Sequence, residues 1–467
     1  MKKTVIIILI ILAIVLSAMP FCASAAERVD IIIRGGTVVT MDGSGTVIEN
    51  GAVAIRRDRI VAIGRAGEIA SKYDAGRTID ATNRVVMPGL INTHTHVPMG
   101  LFRGIADDLV LMEWLQKYIF PAEAKNVDEQ FVRWGTRLGC LEMIEGGTTT
   151  FVDMYYFEDV VAEETSRAGM RAVLGETLID FPAPDNKSWE AGMYYVEKFT
   201  DKWKGHPLIV PAIAPHAPYT VSTEHLKQAH ELSVRKNVPL VIHVAEDSAE
   251  VKTIQERYGA SSVAYLERIG LLDNRVIAAH MVWPTPEDVK TLAARKVGVA
   301  HCPQSNMKLA AGAAPVPQML KAGVAVGLGT DGAASNNDLN LWEEMDTAAK
   351  LHKLVLKDPT VLNAKEALQM ATINGARAIH MDKEIGSLEP GKRADLIIVN
   401  IESSHQWPLY NIYSQLVYAT KASDVDTVMI NGRLVMDDRQ ITSIDAAAVR
   451  KKAREYADRI RKSLAAK

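Results

Sequence analysis

From residue 85 to residue 331 the chain alternates between short apolar runs and stretches with helical periodicity. The runs are Val85–Asn92, Thr149–Met154, Arg171–Gly175, Ile209–His216, Leu240–His243, Val276–His280, Gly298–His301 and Val324–Asp331. Between them lie Phe131–Ile144, Thr223–Lys236, Ala249–Tyr258, Pro286–Ala294 and Val316–Ala322, with apolar residues spaced three and four apart. Continuous apolar runs alternating with helices imply strands buried on both faces, hence a parallel sheet. Eight such units predict an α/β fold, a (β/α)8 TIM-type barrel whose active site forms where the strands end.

The flanking segments read differently. Asp30–Val39, Gly51–Ile55 and Arg59–Gly64 on one side, and Asp395–Val399 and Val428–Met436 on the other, are short strands punctuated by glycine turns. We expect residues 27–85 and 385–467 to combine into one small β-sandwich domain, with the barrel at 86–384 inserted between its halves. The second half ends in a helix, Ala446–Ala465, whose lysines and arginines read as a solvated face.

The first 25 residues carry an address. Lys2 and Lys3 precede an apolar stretch from Val5 to Met19, and Ala23-Ser24-Ala25 is an A-x-A cleavage pattern. The stretch is short for a hydrocarbon core that takes ~20 residues to span. We therefore expect a signal peptide cleaved near Ala25, export to the periplasm or medium, and no membrane association of the mature chain. A net charge of -3 with mixed signs argues against a nucleic-acid surface. Cys140 and Cys302, left after cleavage, lie in different barrel units, so no disulfide is expected.

The strand ends carry the chemistry. Run one leads into His94 and His96. Run four ends in His216, run five in His243, run six in His280, run seven in His301 and run eight in Asp331. Residues two apart on a strand face the same way, so His94 and His96 offer two imidazoles to one ion. One histidine in an apolar strand is ordinarily a hydrogen-bonded core residue. So many rim positions carrying His or Asp are hard to derive from packing, which favours Val, Ile and Leu. His and Asp without thiolates suit zinc or iron, and an open barrel mouth suits a catalytic site with a bound water.

Together these motifs resemble the amidohydrolase superfamily over essentially the whole mature chain. They are Pro88-Gly89-Leu90-Ile91-Asn92-Thr93-His94-Thr95-His96, His216-Ala217-Pro218-Tyr219-Thr220, His243-Val244-Ala245-Glu246, His280, His301-Cys302-Pro303-Gln304-Ser305-Asn306 and Gly329-Thr330-Asp331-Gly332. Leu101-Phe102-Arg103-Gly104, Glu113-Trp114-Leu115 and Pro121-Ala122-Glu123 make the chain most similar to the 5-methylthioadenosine/S-adenosylhomocysteine deaminase group. The resemblance implies one divalent metal ion per subunit, held by His94, His96, His243 and Asp331. Zinc is the family's usual ion, and iron(II) suits the same ligands. His216 stands where binuclear members carry a modified lysine, which is why one metal is expected. The implied catalytic residues are Glu246 as proton donor, His280 toward the attacking water, and Asp331 as its proton acceptor. The implied substrate-binding residues are Glu123 at the ribose hydroxyls, Trp114 along the nucleoside, His216 at the base, and Glu246 and Asp331. The implied reaction is hydrolytic deamination of an adenine nucleoside, a small-molecule partner; a homo-oligomer is left open.

One departure qualifies the substrate. Members that handle S-adenosylhomocysteine can carry an arginine after the third strand. None occurs here between Arg171 and Arg235, and Lys187 is the only cation in Phe181–Tyr195. Methylthioadenosine and adenosine stay open, whereas a charged tail has no evident partner. The alternative is an amidohydrolase acting on another aminated or halogenated heterocycle, of guanine, cytosine or triazine type. A non-catalytic relic would have lost a ligand or Glu246, and both are retained. We expect His301, Asn306 and Asp153 to support the pocket, Asn336 and Asn337 to cap the helix after strand eight, and Cys302 to be a buried structural thiol.

Overall fold

The computed structural model describes residues 26–465, so the signal segment read at 1–25 lies outside the described residues. Five strands come first: β1 (Glu27–Val39), β2 (Val47–Arg56), β3 (Arg59–Arg65), β4 (Tyr73–Asp80) and β5 (Arg84–Pro88). Eight follow: β6 (Leu90–Thr95), β7 (Thr148–Tyr155), β8 (Arg171–Leu178), β9 (Ile209–Pro215), β10 (Leu240–Val244), β11 (Val276–His280), β12 (Gly298–His301) and β13 (Ala325–Leu328). The last four are β14 (Leu396–Asn400), β15 (Val425–Ile430), β16 (Arg433–Asp437) and β17 (Gln440–Ile441).

Strands β6 to β13 pair in chain order as one parallel eight-stranded sheet. Every residue of β7 and β8 is buried, as expected for strands covered on both faces. The seam between β6 and β13 is drawn nearly closed by side chains and one backbone bond. Asn92 accepts from Thr330 N at 3.0 Å and donates to Thr330 Oγ1 at 2.8 Å, while Asp331 N donates to His94 O at 3.0 Å. The result is a TIM-type barrel whose rim gathers the chemistry-bearing residues. No helix among the described residues is long and apolar enough to cross a membrane.

The terminal strands form one nine-stranded sheet, in the order β17-β16-β15-β14-β5-β1-β2-β3, with β4 on β1. The sandwich expected from the sequence thus takes the form, among the described residues, of a single hydrogen-bonded sheet. Alternation along β1 explains why one sheet suffices. Ile33 joins a cluster with Val53, Ile55, Val86 and Leu396, while its neighbour Ile32 joins another with Ala52 and Ala54.

The apolar run Val85–Asn92, read as one strand, is two. Residues 84–88 pair with β14 and belong to the terminal sheet, and the barrel begins at Leu90. Gly89 is the joint. A Cβ there would stand 2.2 Å from the Thr149 side chain, so only glycine lets the chain pass from one sheet to the other. A buried ion pair ties the two sheets together at the same level. Arg171 of β8 donates to both oxygens of Asp395, at 2.7 and 3.1 Å.

Candidate active site

The rim residues converge. His94 lies within β6 and His96 one residue past it, so both face the barrel axis. His243 is the fourth residue of β10, and His280 ends β11. Asp331 follows β13 in a left-handed conformation, φ 62°, which turns its carboxylate back toward the histidines. His96 Nε2 lies 3.2 Å and His94 Nε2 3.5 Å from Asp331 Oδ1, and His96 Nε2 lies 3.3 Å from His243 Nε2.

These residues fit a metal. His96 Nδ1 lies 2.6 Å from Met154 O, and His243 Nδ1 2.7 Å from His216 O. A carbonyl only accepts, so both Nδ1 atoms carry hydrogen and both Nε2 lone pairs face inward. His94, fully buried, has no hydrogen-bond partner on either ring nitrogen. Histidine nitrogens and a carboxylate oxygen therefore meet here, and His94, His96 and His243 form a group that could hold a metal ion. Tetrahedral ligands at ~2.0–2.1 Å stand ~3.3 Å apart, close to the 3.2, 3.3 and 3.5 Å separations above. His280 shares a second possible ligand cluster with His94 and Asp331. Burial lowers His94 to about 4 and His243 well below its ordinary value, the neutral form a metal requires. Ser305 and Ser335 fix Asp331 by donating to its Oδ2 at 2.7 and 2.9 Å.

Above these residues opens a cavity. It is lined by Glu246, His280, Asp331 and His216, and farther out by Trp114 and Glu123. Glu246 and His280 face each other, Oε1 to Nε2, at 3.7 Å. Burial pushes the Glu246 carboxyl well above the usual range, and the Asp331 charge adds to it. Burial would raise Asp331 too, but His94 and His96 hold it well below the usual range. Burial also keeps His280 neutral, with Nδ1 3.0 Å from Asn306 Oδ1. Burial takes His216 to about 3.

Asn306 sits behind His280, and Asp153 behind the first strand, where it accepts from Thr95 Oγ1 and Val97 N at 2.7 and 2.6 Å. His301 does not line the cavity; its Nε2 pairs with His352 Nε2 at 3.2 Å. Cys140 and Cys302 are free and buried. The helix after β13, Leu341–Leu356, is capped by Asn340 and not by Asn336 or Asn337. Asn336 instead bonds Thr330 O and Glu344, because its turn closes before the helix begins. Sequence reasoning missed Tyr155, Tyr156, Thr177 and Tyr219 on the cavity wall. It also missed Glu250, whose carboxylate accepts from Ala245 N and Glu246 N at 2.8 Å each. Its position four residues past Glu246, in the first turn of the next helix, was the available signal.

The amidohydrolase family model matches residues 85–435. The chain belongs to the amidohydrolase family. It is 50% identical over 436 residues to the 5-methylthioadenosine/S-adenosylhomocysteine deaminase of Syntrophobacter fumaroxidans, covering 93% of this chain and 99% of that one. It is 47% identical to 5-methylthioadenosine/S-adenosylhomocysteine deaminase 1 of Syntrophus aciditrophicus, covering 94% and 99%. Among solved structures it resembles an adenosine deaminase from Xanthomonas campestris with bound zinc, at TM-score 0.92 and 40% identity, over 94% of this chain and all of that one. An atrazine chlorohydrolase from Arthrobacter aurescens, at TM-score 0.85, 24% identity, and 91% and 100% coverage, shares the fold.

Proposed function

We propose that this amidohydrolase hydrolyses an adenine nucleoside, 5′-methylthioadenosine, S-adenosylhomocysteine or adenosine, to the inosine analogue and ammonia. One observation carries the reading: Glu246 and Asp331 line a single cavity, Glu246 facing His280 Nε2 at 3.7 Å and Asp331 facing His96 Nε2 at 3.2 Å, and these surroundings drive the two carboxyls in opposite directions. Two carboxyls driven apart in this way are an acid and a base.

The metal is read as a single divalent ion, zinc first, on His94, His96, His243 and Asp331. When bound, such an ion supplies Lewis-acid activation of water, bringing its pKa toward ~7. Everything else falls to the chain. Asp331 stays ionised and takes a proton from the attacking water. His280, uncharged, orients that water through Nε2. Glu246 arrives protonated, gives its proton to the ring nitrogen beside the amine-bearing carbon, and then relays a proton to the departing amine. Expelling ammonia needs that donor, which favours deamination over halide displacement. His216 lies against the base, Trp114 along the nucleoside, and Glu123 accepts from the ribose hydroxyls. The Trp114 indole N–H, buried without a partner, is free to donate to substrate. A composite β domain whose N-terminal part runs on from the expected limit of 85 to Pro88, a barrel from Leu90 to 384, the C-terminal part at 385–467 and cleavage after Ala25 complete the reading. An N-terminal sequence beginning at Ala26 on exported protein would support the cleavage, and a full-length cytosolic chain would refute it.

The test is ammonia release by metal-loaded protein from methylthioadenosine, adenosine, S-adenosylhomocysteine, guanine, cytosine and aminotriazines. Preference for the nucleosides supports the proposal. Turnover of the bases or triazines alone replaces it with the heterocycle reading.

A further inference from the structure

The end of β7 serves both ends of the cavity. Met154 O takes the Nδ1–H of His96, and the next residue, Tyr155, donates its hydroxyl to Glu123 Oε1 at 2.8 Å. Both Tyr155 and Glu123 are buried. Glu123 stands at a neck: it lines the reaction cavity and also a neighbouring one bounded by Phe120, Val127, Phe181 and Lys187. Its Oε2 accepts no hydrogen bond from any described residue.

Tyr155 does not depend on Glu123 for its place. Its backbone N–H donates to Glu158 Oε1 at 2.9 Å, and the Glu158 N–H donates to Glu176 Oε2 at 3.1 Å. The hydroxyl is thus presented from a fixed strand end to a carboxylate on a separate helix, Phe120–Asn126. It occupies one carboxylate oxygen and leaves the other for substrate. It also favours the ionised carboxylate, which is acceptor-only and can take hydrogen bonds from two vicinal hydroxyls. Burial pushes Glu123 up to about 7, and the Tyr155 hydrogen bond works against it. Of the other titratable groups lining the two cavities, Tyr156 stays un-ionised because burial raises it far above its ordinary range, burial takes His216 to about 3, and Lys187 donates to Ala183 O and Pro184 O.

We propose that Tyr155 is a positioning residue that makes this pocket selective for a cis-diol, and so for ribonucleosides over 2′-deoxyribonucleosides, by holding Glu123 with one oxygen committed and one turned to substrate. The inference rests on the nucleoside reading above.

The test compares adenosine with 2′-deoxyadenosine on the metal-loaded enzyme. In Tyr155→Phe, KM for adenosine should rise about tenfold or more, the scale of a hydrogen bond to a charged group, while kcat changes little. The adenosine to deoxyadenosine ratio of kcat/KM should fall with it. Glu123→Gln should lower the ratio similarly, and the double variant should lower it no further. If Tyr155→Phe fails to fold, wild-type enzyme decides: its ratio should fall between about pH 8 and about pH 6, as Glu123 protonates. Groups acting on both substrates, Glu246 among them, cancel in that ratio. A Tyr155→Phe enzyme that loses kcat equally on both nucleosides at an unchanged ratio would overturn the inference, as would a pH-independent wild-type ratio. Those results leave deamination standing; wild-type inactivity on every adenosine removes both.

Discussion

Replacing Glu246 by glutamine separates chemistry from binding with unusual clarity at this site. Glu246 is buried, and burial holds its carboxyl well above the usual range, which favours the protonated form. Glutamine matches it in size and in charge. Glu250 grips the backbone N–H of Glu246 and not its side chain, so the loop should keep its course. The metal ligands should feel no change in field, and metal content should stay at the wild-type value. What disappears is the transferable proton. A positioned acid contributes about 10²–10⁴ in rate, equivalent to about 3–5 kcal/mol of barrier. We expect kcat on methylthioadenosine to fall by that factor, with KM within about threefold, since the amide still donates to a ring nitrogen. A 6-chloropurine riboside sharpens the test, because chloride leaves without a proton. The variant should lose clearly less on it than on the amine. In the wild type, kcat/KM should be sustained while Glu246 is protonated and decline as pH rises through its elevated pKa. Ammonia release, chloride release and metal analysis on one preparation suffice. Near-wild-type deamination by the metal-loaded variant, or equal losses on both leaving groups, would refute the proton-donor role.

Three further outcomes follow from the packing. His243→Ala removes an inward lone pair held by His216 O, and metal per subunit measured by atomic absorption should fall severalfold or more while circular dichroism is kept. Asp395→Leu strands Arg171 in a buried site and should cost about 3–5 kcal/mol in urea denaturation; the double change with Arg171→Met should recover most of it. Glu123→Gln should be more stable than wild type at high pH: the wild-type carboxyl titrates at 4.5 unfolded and about 7 folded, so wild-type stability falls through that window and stays lower above it. The gap should reach about 3 kcal/mol, and a gap that does not grow with pH would contradict the buried-carboxyl assignment.

The barrel was legible because its strands are buried on both faces and therefore written as unbroken apolar runs. The break at Gly89 was not, since the strand on either side of it is equally apolar and only the pairing of residues 84–88 with β14 and β1 assigns them to the other sheet. The rim histidines stood out because nothing in core packing calls for them. Tyr155 and Tyr156 did not, because an aromatic at a strand end reads as core until the cavity beside it is seen. Asn336 looked like a helix cap on composition, yet the helix starts only at Leu341, and a cap works only at the residue before the first turn.

The least legible feature is the backbone that aims the chemistry. Ala245, His280, Met281 and Asp331 all have positive φ, at 53°, 71°, 49° and 62°, and none is glycine. Each stands where β10, β11 or β13 runs out, and together they turn Glu246, His280 and Asp331 into one cavity. Such conformations cost about 1–3 kcal/mol each and persist only where the surroundings over-determine them. The surroundings here do so by hydrogen bonds across strand ends: Met281 N to Val244 O, Val282 N to Ala245 O and Asp331 N to His94 O, with Glu250 on the amides of Ala245 and Glu246. Glycine at these positions would remove the strain, but it would also free the backbone that aims the acid and the base. The strain is thus the local form taken by a fixed geometry, and Glu250, which does not line the cavity, belongs to the machinery as much as the residue whose backbone it steadies.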